Sequence, residues 1–300
     1  MSTVDISPGL KAELKSGFDF FRCENLIGIG AAEFQQTLQS RIGKIDARSE
    51  GYKDYELEQQ RDLSIKFHWG HNHDFGRFNL QGRMGDRHLE LMSDFINKFP
   101  VDISTFSDAD VIDIGCWTGG TSLLLKSLGS RVVAIEEVRK YAEMVNFLAS
   151  SFGLQRELRC ESKSLYECNH ADYHERFDVA YFPGVIYHLS DPVLALRILF
   201  NSLKLDGEVL IESAGVDSPE PICRFDGNYV YRNGTREELN RGGWNWFLPS
   251  ASALQKMLVE AGFELVQAYW CDDRRRVFGY GKKCRQIGIC KAGLSVPDIS

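Results

Sequence analysis

Apolar residues recur along the chain with two different periods. From Pro8 to Ser64 they sit at helical spacing in a polar background (Leu10, Leu14, Phe34, Leu38, Tyr55, Leu57, Leu63), interrupted by Gly28, Gly30, Gly43 and Gly51. This predicts a helical N-terminal extension. The segment FHWGHNHDFGRFNLQGRMGDR, Phe67 to Arg87, is too irregular for a strand ladder and too rich in glycine for a stable helix. It reads as a loop that lines a pocket. Helical spacing returns from His88 to Phe99, and Pro100 ends it.

From Asp110 onward the rhythm is strand, turn, helix, repeated. VIDIG is followed by a helix over Thr118–Leu128, RVVAIE by one over Val138–Phe152, then come LRCE, FDVAYF, a helix over Asp191–Leu203, and EVLIES. Short apolar strands alternating with helices predict an α/β fold, a doubly wound Rossmann-like parallel sheet of about seven strands with helices on both faces. A polar, aromatic stretch from Gly215 to Pro249 breaks the pattern. A helix over Ser250–Ala261, capped by Gly262, then leads to FELVQAYW and a terminal apolar run, FGYGKKCRQIGIC. The resulting division is a helical N-terminal extension with its pocket-lining loop over 1–100, and a Rossmann-like domain over 101–300 carrying a substrate-lid insertion at 214–249.

Composition narrows the function classes. The 300 residues are 43% apolar and 26% charged, which is globular. With 35 basic against 42 acidic side chains, the net charge of -7 argues against nucleic acid as a partner. No apolar run approaches the roughly 20 residues of a membrane span, and Met1–Lys15 mixes acids, bases and Pro8 rather than forming a signal sequence. The expectation is a cytoplasmic protein. The eight cysteines form no CxxC pair and read as reduced and structural.

In a parallel sheet, ligands bind beyond the carboxyl ends of the strands, where glycine lets the first turn come close. Asp113 to Gly120, DIGCWTGG, is that turn, and the next strand ends at Glu136, where a carboxylate can accept hydrogen bonds from both ribose hydroxyls. The order Gly115, Trp117, Gly119, Gly120 puts an indole where a dinucleotide's pyrophosphate would approach. An acid opening the turn, Asp113, would also repel pyrophosphate, whereas it suits an ammonium and a sulfonium.

These residues resemble the class I S-adenosylmethionine-dependent methyltransferases over about Asp110 to Trp270. VIDIGCWTGG looks like their first motif, VVAIE like the second strand with its ribose-binding acid, and FDVAYFPGVIYHLSDP like the fourth strand and its loop. GVIYHLSDP, the IES strand end and WFLPSASALQKMLVEAGFELV are similar, more narrowly, to the branch containing the tRNA wobble-uridine carboxymethyltransferases. The resemblance implies S-adenosyl-L-methionine as cofactor, held by Asp113 at its amino-acid end and by Gly115, Trp117, Gly119, Glu136 and Gly184. Trp117 stands where the family usually has glycine. The family's adenine-contacting Asp is missing from ESKSLYE, so Ser162 to Leu165, with Ser164 among them, would serve through backbone or hydroxyl groups.

Tyr187 and His188 follow the fourth strand, where the acceptor sits in this fold, and by resemblance Tyr187 faces the cofactor's methyl end. His188 reads either as a general base or as a hydrogen-bonded loop histidine, since a base is needed only if the acceptor must lose a proton. Glu212, closing the fifth strand, either orients the substrate or is a satisfied strand-end acid. Within the lid, Tyr229, Tyr231, Arg241, Asn245 and Trp246 are candidate substrate contacts. Arg83, Arg87 or the Arg274–Arg276 run could clamp a carboxylate, although the last reads more readily as a solvated turn. His68, His71 and His73 lack a fixed ligand geometry, so no metal is expected there.

Three functions are compatible with these residues. The leading one is methyl transfer to O, N or S of a small polar, amino-acid-like metabolite. The narrower resemblance favours modification of a tRNA wobble uridine, with a carboxylated cofactor as one option. The third is a cofactor-binding partner protein without catalysis. The N-terminal helices are suited either to closing over the cofactor or to making a homodimer.

Overall fold

A computed structural model describes residues 8–44, 67–226 and 245–285. Its elements, in chain order, are α1 (Pro8–Gly17), α2 (Ala31–Arg41), β1 (His73–Asp74), β2 (Asn79–Leu80), α3 (Arg87–Lys98), β3 (Asp110–Ile114), α4 (Gly120–Ser127), β4 (Arg131–Ile135), α5 (Arg139–Ser151) and β5 (Leu158–Glu161). There follow β6 (Phe177–Pro183), α6 (Pro192–Ser202), β7 (Leu203–Ala214), β8 (Cys223–Phe225), β9 (Phe247–Pro249), α7 (Ala251–Glu260), β10 (Glu264–Cys271) and β11 (Arg276–Lys282). Seven strands form one sheet in the order β10-β11-β7-β6-β3-β4-β5. The described chain packs as two compact units, one of residues 8–44, 67–109 and 116–162, the other of 110–115, 163–226 and 245–285.

In the first unit, Leu89, Met92, Phe95 and Phe99 fall on one face of α3 and its exit, and all are buried. Spacings of three and four residues create that stripe, and α1 packs against α3. Phe34 of α2 is fully buried among Phe75, Phe147 and Phe152, its ring stacked on Phe147 at 5.7 Å. Strands β4 and β5 run parallel, Ala134 opposite Cys160. Helix α4 begins at Gly120, two residues later than the spacing predicts, because Trp117–Gly119 are spent in the turn that precedes it.

The second unit contains the parallel trio β3, β6 and β7, with Ile112 opposite Ala180 and Pro183 opposite Glu212. The sheet is not wholly parallel as the sequence rhythm implies: β11 runs antiparallel to both β7 and β10. A four-residue turn over Asp272–Arg275 joins β10 to β11, and so short a connection permits only an antiparallel pair. A two-residue ladder, β1 with β2, also forms inside the glycine-rich loop that was expected to be free of strands. Asp110 and Asp178, at the entry ends of β3 and β6, share Lys204 at 2.9 Å each. Ser250 caps α7 by accepting from the Ala253 N–H, and Gly262 closes it with φ +108°.

A Cβ on Gly262 would meet the Phe200 ring at 3.1 Å, and its backbone conformation disfavours any side chain. Gly262→Ala should therefore lower the unfolding free energy by about 1–3 kcal/mol, read as a reduced urea midpoint at unchanged slope.

Candidate functional site

In the first unit, the turn after β3 is organised by one carboxylate. Glu136, just past β4 and 9% exposed, accepts the Trp117 N–H at 2.9 Å on Oε2 and the Val138 N–H at 3.0 Å on Oε1. Trp117 holds φ +52°, a left-handed conformation that persists only where neighbouring contacts over-determine it. Gly119 N donates to the Cys116 carbonyl at 2.8 Å and, at φ +86°, opens α4. Cys116 and Cys160 are free and buried, their sulfurs 3.7 Å apart.

A strap lies on this turn. Residues 69–72 pair with 82–85 through Arg83 N to Trp69 O, Met84 N to Gly70 O and Asn72 N to Gly85 O, each 2.9 Å. The strap docks by Gly70 N donating to Thr118 Oγ1 at 2.9 Å. The approach is close enough that a Cβ on Gly70 would lie 2.9 Å from the Trp117 indole, and one on Gly120 would lie 2.4 Å from His71 Nδ1. The three histidines of the loop do not converge. His73 stacks on Phe75 at 3.8 Å, with Nε2 3.3 Å from the Phe21 carbonyl, while His71 packs on His88 at 4.6 Å. Among the described residues no cluster of three His, Cys, Asp or Glu is suited to a metal. Burial pushes His71 down to about 4, with Arg87 adding to the effect and Asp86 opposing it. Burial likewise takes His73 to about 4, against the Phe21 carbonyl and Asp74.

In the second unit, Asp113 is 1% exposed at the end of β3, and a Cβ on the next turn residue, Gly115, would meet Val185 at 2.3 Å. Gly184 donates to the Glu212 carbonyl at 2.8 Å and, among the described residues, has no heavy atom within 4 Å of its absent Cβ. The rings of Tyr187 and His188 lie 4.0 Å apart in a short 3-10 turn. Glu212 is fully buried and gripped by Arg276 through both carboxylate oxygens, Nε to Oε1 and Nη2 to Oε2, the latter at 3.1 Å. The Arg276 guanidinium lies 5.0 Å over the Tyr187 ring. Burial opposes the Arg276 charge most strongly, but Glu212 and Tyr187 outweigh it and its pKa is raised.

Residues 84–268 match the family described as a methyltransferase domain. The chain belongs to that family. Its sheet, with β11 inserted antiparallel beside β7, is the Rossmann-like fold of the class I S-adenosylmethionine-dependent methyltransferases. The chain is 28% identical over 158 residues to a tRNA U34 carboxymethyltransferase of Helicobacter pylori, a match covering 52% of this chain and 57% of the relative. The chain thus spans little more than half the length of that relative. Among solved structures, the cyclase SpnF superposes with TM-score 0.50 at 15% identity, covering 65% of this chain and 80% of the other. Phosphoethanolamine N-methyltransferase 2 of Haemonchus contortus, in complex with phosphomonomethylethanolamine and S-adenosylhomocysteine, superposes with TM-score 0.50 at 12% identity, covering 65% and 53%. At such identities these two likenesses concern the fold alone, and one of them carries a cyclase's name.

The expected contact residues fall into distinct surroundings. Ser164 spends its hydroxyl capping a 3-10 turn, accepting from Tyr166 N at 3.4 Å. Asn245 Oδ1 is buried without a partner among the described residues, Trp246 N donates to the Tyr187 carbonyl at 2.8 Å, and Arg83 is exposed. Tyr229, Tyr231 and Arg241 lie outside the described residues. Glu212, which the sequence leaves open as a substrate-orienting or a satisfied strand-end acid, is held by Arg276 through both carboxylate oxygens. The sequence leaves the Arg274–Arg276 run open as a carboxylate clamp or, more readily, a solvated turn; Arg276 grips the carboxylate of Glu212, and nothing local in DDRRRVF marks it as the buried member of the run. The docking of the strap had a faint signal in the glycines flanking its aromatic residues and histidines.

Glu136→Ala removes both acceptors, so it should cost about 1–3 kcal/mol of stability and weaken S-adenosylmethionine binding more than tenfold (about 1.4 kcal/mol); Glu136→Gln should recover part of the stability in a denaturant titration. His71 and His73 are held below their unfolded value of 6.5, so the folded chain binds fewer protons than the unfolded one. Stability is therefore full above about pH 6.5 and is lost as pH falls toward 4, by on the order of a few kcal/mol. Melting temperatures across that range check the sign, and His73→Phe should flatten the slope.

Proposed function

We propose that this domain transfers the methyl group of S-adenosylmethionine to an O, N or S atom of a small polar, amino-acid-like acceptor. The observation that carries the cofactor part is the turn itself: a buried acid at the end of β4 bonded to the backbone of a glycine-rich turn that opens α4. A carboxylate at Glu136 is the kind of acceptor that the two ribose hydroxyls require. The other proposed contacts are Asp113 for the ammonium, and Gly115, Trp117, Gly119, Ser164 and Gly184 through their backbones. Gly184, with no described heavy atom within 4 Å of its absent Cβ, supports the fit.

Methyl transfer is an in-line displacement at a sulfonium, so the protein's task is to align the acceptor's lone pair with the methyl carbon and to exclude water. When bound, the cofactor supplies the electrophilic methyl group. Tyr187 is the proposed wall at that end, with its ring fixed beneath the Arg276 guanidinium. His188 takes the acceptor's proton where there is one to lose. The net charge of -7 supports a small acceptor over a polyanionic one.

The name of the Helicobacter pylori relative favours a second reading, modification of a tRNA wobble uridine. A carboxylated cofactor lying against Tyr187 would find its natural cation, Arg276, already engaged by Glu212, which weighs against that variant of the reading.

Methyl-labelled S-adenosylmethionine incubated with the protein and a cell extract, followed by separation into RNA, protein and small molecules, tests the assignment. Label in the small-molecule fraction is the expected result. Label in RNA would replace it with the second reading, and binding of cofactor with no label in any fraction would favour a non-catalytic partner protein.

A further inference from the structure

Two thiols stand on either side of Glu136. Cys116 comes immediately before Trp117, whose N–H donates to Glu136 Oε2 at 2.9 Å, and Cys160 comes immediately before Glu161, whose carbonyl accepts the Glu136 N–H at 3.1 Å. Although 44 residues apart in sequence, their sulfurs lie 3.7 Å from each other, in van der Waals contact. Both side chains are buried, Cys116 at 1% exposure and Cys160 at 6%. Neither thiol has a task in the methyl transfer proposed above.

The two residues differ in their freedom to move. Cys160 lies in β5 opposite Ala134 of β4, and the side-chain amide of Asn146 grips its backbone twice. Cys160 N donates to Asn146 Oδ1 and Asn146 Nδ2 donates to the Cys160 carbonyl, each at 2.8 Å. Cys116 lies in the turn ahead of α4, where its carbonyl accepts the Gly119 N–H at 2.8 Å. That turn holds Trp117 at φ +52°, and a left-handed residue other than glycine is kept in place by its contacts rather than by its own preference. Closing the sulfurs from 3.7 Å to a bond of about 2 Å therefore displaces the turn rather than the strand. Trp117 N is the next backbone group along, so the displacement acts on its hydrogen bond to Glu136.

We propose that Cys116 and Cys160 form an oxidation site, in which hydrogen peroxide joins them as a disulfide that pulls the glycine-rich turn off Glu136 and lowers cofactor affinity. This rests on the cofactor assignment above and adds regulation to the same turn. Cys160, the less enclosed thiol, gives up its proton, and its sulfur attacks one peroxide oxygen. An S–O bond forms, the O–O bond breaks, and the departing hydroxide takes up a proton and leaves as water. The Cys116 sulfur then attacks the Cys160 sulfur, forming the S–S bond and expelling the oxygen, with the Cys116 proton, as a second water. The two thiols are together oxidised by two electrons and one peroxide is reduced. Contact between the sulfurs makes the second step intramolecular, with no encounter to wait for.

The test compares the full chain reduced with dithiothreitol and the same protein then treated with hydrogen peroxide, by non-reducing peptide mapping and by calorimetric titration with S-adenosylmethionine. The oxidised protein should yield a peptide pair linked through Cys116 and Cys160. Its affinity should be weaker by about tenfold or more and return on renewed reduction. Cys160→Ser should bind within about twofold of the reduced unmodified protein and keep that affinity through the peroxide treatment, although it retains the remaining cysteines. Cys116→Ser should do the same, and the peptide map of the unmodified protein does not depend on how either variant folds. Recovery of Cys116 and Cys160 unlinked after peroxide, a linked pair with unchanged affinity, or an equal loss of affinity in the serine variants overturns the proposal while leaving the cofactor assignment intact. Reduced protein that binds no S-adenosylmethionine refutes the cofactor assignment, and the proposed switch with it.

Discussion

The two backbone hydrogen bonds accepted by Glu136 are the interaction on which the first unit's candidate chemistry rests. They pull the turn at Trp117 and the exit of β4 at Val138 onto one carboxylate. With Trp117 fixed in a left-handed conformation, Thr118 is presented to the Gly70 N–H, and the strap can lie on the turn. A side chain of another length at 136 would leave two backbone donors wanting partners in a largely buried place, where an unmet donor is costly. The acid therefore shapes the turn on which the proposed cofactor contacts depend.

The second unit is governed by a different kind of contact. Arg276 and Glu212 form a buried pair whose mutual attraction is largely offset by the cost of removing both charges from water. Such a pair contributes position more than stability. It fixes a cation over the face of Tyr187, and Tyr187 in turn receives the Trp246 N–H on its carbonyl. The residues following β6 are thereby held by both β11 and the segment entering β9, so the proposed acceptor end stands on strands rather than on a free loop.

The buried histidines mark the boundary between these roles. His73 is enclosed by phenylalanine rings and belongs to the core. His71 has the same low proton affinity for the same first reason, burial, yet packs on a helix terminus rather than on phenylalanines. Residues two positions apart in an extended segment share a face, so what separates these two is the neighbour each meets, Gly120 for His71 and Phe75 for His73.

Much of the fold was legible from the chain alone. Runs such as VIDIG, RVVAIE and FDVAYF announce buried strands by their own composition, and DIGCWTGG announces a tight glycine-rich turn, the one proposed for the cofactor, because both signals lie between residues close in sequence. Helix positions and the cap at Gly262 were legible for the same reason. The antiparallel insertion of β11, the enclosure of Glu212 by Arg276 across 64 residues and the seating of His71 on Gly120 were not. Each depends on which distant surface a segment meets, and neighbouring residues exert no bias on that choice. Tertiary packing alone decided that one arginine of DDRRRVF is buried against a tyrosine, and that one histidine of HWGHNH is seated on the first residue of α4.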